Sequence, residues 1–140
     1  MIDLTGLWKG TIVYGKGYKQ YIGKELYFDM DIIQYGNEIA GTAKDTGGVG
    51  MSPDSAQILG SIINNKITFL KQYSSFHYQT ADGGVKVNKN FAGPMINYNG
   101  SFDAATEAFT GHWNIKLKYR LFGIIPLTLK CSGIWMMSRK

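Results

Sequence analysis

The chain has one cysteine, three prolines and two histidines among 140 residues. It therefore holds few of the side chains that carry disulfides, metals or thiol chemistry. Cys131 alone excludes an intrachain disulfide framework. It fits a reducing compartment without requiring one. No apolar run reaches the roughly 18 residues of a membrane-spanning helix. The most apolar stretch, Leu121 to Leu129, is interrupted by Gly123 and Pro126. The opening Met1-Ile2-Asp3-Leu4-Thr5-Gly6 lacks a basic segment followed by an apolar one, so no signal peptide is expected. Compartment stays open, with the cytoplasm preferred over export behind a removed signal. Charged residues make up only 18%, with a net charge of +5. That balance gives weak attraction to anionic partners. The basic residues are mostly spread along the chain and match no nucleic-acid module, so no nucleic-acid partner is expected.

Glycine is in excess, at 18 of the 140 residues, against a usual share of about 7%. Aromatics reach 14%. The length fits one domain over residues 1–140 with a substantial core. The dominant period is two. From Ala108 to Arg120, Phe109, Gly111, Trp113, Ile115, Leu117 and Tyr119 share one face, opposite Thr110, His112, Asn114, Lys116, Lys118 and Arg120. A strand that long must coil, which suits a closed barrel. Lys24 to Tyr35 alternates likewise, with Leu26, Phe28, Met30 and Ile32 opposite Glu25, Tyr27, Asp29 and Asp31. Shorter strands are read at 39–43, 58–62, 67–73, 96–102 and 127–137. Gly36-Asn37 and Asn64-Asn65 are two-residue hairpin signals, because these residues accept positive φ. Asp103 to Glu107 reads as a short hairpin loop. Lys44 to Ser55 and Ser74 to Asn90 read as long connections, the first with a helical turn at Ser52-Pro53-Asp54.

The glycines recur in one pattern: an apolar or aromatic residue, then Gly two positions on, then another bulky residue. It occurs at Leu4-Gly6-Trp8, Ile39-Gly41-Ala43, Ile58-Gly60-Ile62, Tyr98-Gly100-Phe102, Phe109-Gly111-Trp113 and Cys131-Gly133-Trp135. In a strand all three positions face the same way. An inward glycine lets the strand bend, or lets a bulky neighbour cross it. Repeated strand after strand, the device predicts an all-β fold: one antiparallel up-and-down meander barrel of about 8–10 strands, with little or no helix.

Gly6-x-Trp8 at the start of the first strand resembles the opening signature of the calycins, which comprise lipocalins, fatty-acid-binding proteins and avidins. That resemblance implies a tryptophan closing one barrel end, and a basic residue after the last strand packing across it. Arg139 resembles that partner. Strands of the type Ile58-Leu59-Gly60-Ser61-Ile62 and Phe109-Thr110-Gly111-His112-Trp113 look more like avidin than like fatty-acid-binding proteins. Lys9-Gly10-Thr11-Ile12 replaces the polar set that holds biotin in avidins, so biotin binding is not expected. The central tripeptide signature of lipocalins and the helical lid of fatty-acid-binding proteins have no match.

Groups for catalysis are sparse. His77 and His112 have no ligand-like spacing, so no metal site, catalytic residue or cofactor is expected. Cys131 shares the face of Gly133 and Trp135 and reads as a buried, inert thiol. Asp29 and Asp31 share a face but point to solvent. Asp45-Thr46-Gly47-Gly48-Val49-Gly50 resembles a phosphate cradle only in its glycines and reads as a rim loop. More telling are the polar groups that parity turns inward. If Ile67 and Phe69 face the core, so do Lys71 and Tyr73. The expected ligand-binding residues are Lys71 as polar anchor, with Phe69, Tyr73, Tyr98, Trp113 and Trp135 as aromatic walls. Against this stands a lysine at the mouth that reaches water along its stem.

The reading is a binding barrel, not an enzyme, that takes a small, largely apolar and anionic-headed molecule in its interior or open end. A filled barrel that assembles through outward Ile33, Ile134 and Met136 into a homo-oligomer is the alternative. A third is a barrel enzyme acting on a hydrophobic substrate. A carboxylate buried beside Lys71 or Tyr98 would favour it, and none is identifiable in the sequence.

Overall fold

The computed structural model describes the backbone of residues 2–74, 76–79, 85–88, 93–121 and 124–140, with side chains except at 76–79, 85–88, 117–121 and 126–127. Alternation produces strands where it was expected. They are β1 (Gly6–Tyr14), β2 (Glu25–Tyr35), β3 (Glu38–Gly48), β4 (Ala56–Ile63), β5 (Lys66–Tyr73), β6 (Phe76–Gln79), β7 (Val85–Asn88), β8 (Ile96–Asp103), β9 (Ala108–Leu121) and β10 (Ile125–Arg139). Eight of these form a closed antiparallel barrel in up-and-down order, with β1 pairing β10 to shut the seam. Among the described residues, the short β6 and β7 pair only with each other, inside what the sequence reads as one long connection. Among the described residues the one helical element is a 3-10 turn, Lys19–Tyr21. Pro53 and Asp54 form a bend instead of the expected turn of helix.

The buried face of each strand is the apolar one. Leu26, Phe28, Met30 and Ile32 of β2 are buried, while Tyr27, Asp31 and Ile33 face out. At the β4–β5 hairpin both Asn64 (φ 50) and Asn65 (φ 68) are left-handed, the geometry that matches strand twist in a two-residue turn. The expected crossings at glycine are present. A Cβ on Gly133 would lie 2.1 Å from Val13 O and 2.6 Å from Trp113 Nε1. The Trp113 ring occupies that space and donates Nε1–H to Ile134 O at 3.1 Å. Trp135 likewise packs on Gly100, with its ring 2.6 Å from where a Cβ would stand. Its Nε1–H reaches the carbonyls of Asn99 and His112, each at 3.1 Å.

The two barrel ends differ. At one, the chain termini and the β2–β3, β4–β5 and β8–β9 turns meet, and Trp8 plugs the opening. Trp8 donates its indole N–H to Leu4 O at 2.8 Å, and Phe109 packs edge-on to its ring at 5.6 Å. The Arg139 guanidinium lies 4.6 Å from the Trp8 ring centre and donates to Thr5 O at 2.9 Å and to Asp3 O. The tryptophan and the late basic residue are therefore joined as the resemblance implied.

The other end carries the β1–β2, β3–β4 and β9–β10 connections. Here β9 and β10 outrun the barrel. β9 pairs with β8 as far as Ile115, and β10 pairs with β1 only from Gly133 onward. Beyond those points the two strands keep pairing with each other, from Lys116↔Lys130 to Leu121↔Ile125. Six residues per strand at about 3.3 Å each make a ribbon of roughly 20 Å.

Candidate functional site

β5 carries the first half of the site. Ile67, Phe69, Lys71 and Tyr73 alternate inward, and all four are buried. Lys71 is 1% exposed, so the reading that places it at a mouth in water is overturned. It sits under three rings, 5.0 Å from the centre of Tyr73, 5.2 Å from Phe28 and 5.8 Å from Tyr98. An ammonium over aromatic faces is attracted by their quadrupoles, most strongly where water is excluded.

β3 carries the second half, and the sequence reading missed it. The strand does not stop at Ala43 but runs to Gly48. Asp45 therefore continues the inward row of Ile39, Gly41 and Ala43, and it is 1% exposed. Pairing with β2 shifts beside it: Phe28 opposes Asp45 while Tyr27 opposes Gly47, which leaves Thr46 as the extra residue of a bulge. The Asp45 carboxylate is well held. Oδ1 accepts the Tyr73 hydroxyl at 2.7 Å, and Oδ2 accepts the Ser52 backbone N–H at 2.8 Å. Lys71 Nζ stands 3.9 Å from Oδ1, close enough for Coulombic attraction but beyond hydrogen-bond reach.

Burial dominates the local acidity. Desolvation pulls the Lys71 ammonium below the usual lysine range, and the Asp45 charge offsets only part of that. Tyr73, Tyr98 and Tyr14 are all pushed well above the ordinary phenol range, first by burial and then by the Asp45 charge. Each thus stays a neutral hydroxyl at any physiological pH. Tyr14 spends its proton on Val49 O at 2.7 Å, tying the β3–β4 connection over the barrel end.

The expected aromatic walls fall into two groups. Phe69, Tyr98 and Trp135 pack on one another inside the barrel: Phe69 stacks on Tyr98 at 4.6 Å, and Trp135 stands edge-on to both at 5.6 and 5.7 Å. Trp113 belongs to a separate group nearer the loop end, 5.7 Å from Tyr18 and 6.1 Å from Tyr14. Lys71 and Tyr73 join the first group through Tyr98 and Phe28. Sequence parity found all six expected residues as inward groups. It missed Asp45 and Tyr14, and it turned Phe28 inward without naming it as a site residue; continuing the β3 parity by one step would have turned Asp45 inward.

Other expectations resolve simply. Cys131 is buried, and burial raises its thiol above the usual range. His112 is exposed on the outer face. Asp29 accepts an ion pair from Lys140 at 2.6 Å on the surface. The His77 and Tyr119 side chains and the Asp82-Gly83-Gly84 segment lie outside the described residues. Ile33, Ile134 and Met136 are about half exposed on the outer wall. Ile33 opens an apolar row across four strands, through Ala40, Leu59 and Leu70. A cleft of about 670 Å³ also opens on that wall, between β1, β10, β9 and β8, and not toward Lys71.

No family model, curated protein or solved structure matches the chain. The site must therefore be read from its own geometry. No helix among the described residues is long and apolar enough to cross a membrane.

Proposed function

We propose that this calycin-like barrel binds a small, largely apolar molecule with an anionic head, admitted through the loop end, with the Lys71 ammonium meeting the head. One observation carries the reading. Lys71 is buried among aromatic rings, and its N–H donors are not spent on Asp45, whose nearer oxygen is 3.9 Å away. Asp45 is already satisfied by Tyr73 and Ser52. An incoming carboxylate would give the ammonium the short, charge-assisted bonds that Asp45 does not. Tyr73 and Tyr98, held neutral by burial, would supply apolar faces that stay uncharged beside the ligand.

Native mass spectrometry of protein purified from its own host tests this reading by looking for a retained small molecule. Titration with dodecanoate and its methyl ester, followed by tryptophan fluorescence, tests the anchor. The acid should bind roughly tenfold or more tighter than the ester, and Lys71→Met should erase that preference. No retained molecule together with no binding of either probe would overturn it.

The Asp45–Lys71–Tyr73 cluster also favours a second reading, an acid–base site in a barrel enzyme, because a lysine whose pKa is lowered by burial can shed its proton and act as a base. Stoichiometric binding without turnover of the bound molecule separates the two.

A further inference from the structure

We infer that the β9–β10 ribbon is a membrane-docking arm, which seats the loop end of the barrel on an anionic lipid surface. The ribbon projects past its neighbours in the barrel, and a lone two-stranded ribbon gains little stability in water by itself. Yet its far end exposes apolar side chains, with Ile124 78% and Ile125 49% exposed, and Leu129 beside the base is 41% exposed. They stand on the most apolar stretch of the sequence, Leu121 to Leu129.

The base of the ribbon is cationic. Lys116 and Lys130 face each other directly across the two strands, a like-charge pairing that costs stability unless an anion sits nearby. Lys16 joins them, because the β1–β2 connection runs beside β10: Gly15 N donates to Ser132 O at 2.9 Å, and Ser132 N donates to Lys16 O at 3.0 Å. These three lysines line one cleft of about 280 Å³. From Ala108 to Lys130 the sequence has four cationic residues and no Asp or Glu. The fold thus gathers Lys16, Lys116 and Lys130 at the base of an apolar projection.

Charge complementarity and apolar exposure together select the partner. A nucleic acid or an acidic protein surface would reward the lysines but leave Ile124 and Ile125 in water. A lipid interface rewards both, since apolar groups enter the acyl boundary while lysines meet anionic headgroups. The inference stands apart from the ligand reading, because it is tested without any ligand.

The test is flotation of the full chain with vesicles of phosphatidylcholine containing phosphatidylglycerol, against phosphatidylcholine alone. The expected result is binding to the anionic vesicles that weakens with salt. Lys116→Gln and Lys130→Gln should each lower the partition coefficient roughly fivefold. Ile124→Asp should lower it roughly tenfold or more. Unchanged thermal unfolding of these exposed-site variants confirms that folding is intact. Failure to float with anionic vesicles at low salt overturns the inference, as does equal binding to the neutral ones. So does binding that Ile124→Asp leaves unchanged, which would mark a general polyanion surface. Dimerisation in size-exclusion chromatography that Ile124→Asp abolishes would assign the arm to a second copy instead.

Discussion

Removing the carboxylate beside the buried lysine is the sharpest perturbation the barrel offers. At the observed 3.9 Å and an effective dielectric constant of about 20, the Asp45–Lys71 attraction is about 4 kcal/mol. Asp45→Asn should therefore destabilise the fold by about 3–5 kcal/mol near neutral pH, since it leaves an ammonium buried without its counter-charge. The double variant Asp45→Asn with Lys71→Met should recover most of that loss, because it removes both charges together. The pH dependence has a definite sign. Lys71 is held below its unfolded value, so between the two values the unfolded chain binds more protons than the native one. Stability from this site accordingly rises as pH climbs toward the unfolded lysine value, falls as pH drops from there toward the native one, and levels off below it. Asp45→Asn lowers the native value further and widens that window; Lys71→Met removes it. Urea unfolding of the four proteins of the double-mutant cycle, at neutral and mildly alkaline pH, measures all of this. A coupling energy below about 0.5 kcal/mol would refute the reasoning, because it would mean the two groups do not sense each other across the gap.

Gly133→Ala should cost about 3 kcal/mol and shift the Trp113 fluorescence, because the new methyl would collide with Val13 O and with the indole. Arg139→Ala should cost about 1–2 kcal/mol by losing the contact over Trp8 and the bonds to Thr5 O and Asp3 O. Arg139→Lys should restore only part of that, since a point charge cannot make both bonds in the fork geometry; thermal melts compare the two. The Cys131 thiol, buried and raised, should react with a disulfide reagent at neutral pH only as fast as the protein opens. Rapid labelling of the native state would contradict that placement.

Most of the barrel was legible because its strands write burial as alternation, and because glycine marks where rings must cross. The failure at Asp45 has a physical cause. Asp45-Thr46-Gly47-Gly48 has no apolar alternation, and its composition is that of a turn, yet tertiary pairing with Phe28 and Leu26 keeps it in the strand. A bulge at Thr46 then bends the strand without changing the face on which Asp45 lies. The carboxylate could be recognised only by asking which anion a lysine at an inward position requires. Sequence gave Lys71 and left its partner unnamed, because the two are brought together by strands that are not neighbours. The outward lysines posed the converse difficulty. Lys16, Lys116 and Lys130 are far apart in sequence, and only the barrel geometry assembles them.

The seam between β1 and β10 joins Trp8 to Arg139 across nearly the whole chain. No earlier pairing can stand in for it. Until β10 arrives, β1 presents an open edge, and the aromatic plug has nothing to pack under. Closure is thus the longest-range event in folding, and long-range pairing is slow. A growing chain would spend that interval as a curled sheet with two unprotected edges, the form most exposed to wrong partners. The same proximity makes the seam a natural place to rewire: a short linker between the ends, with new ends opened at Asn64-Asn65, would turn this slow closure into a local hairpin.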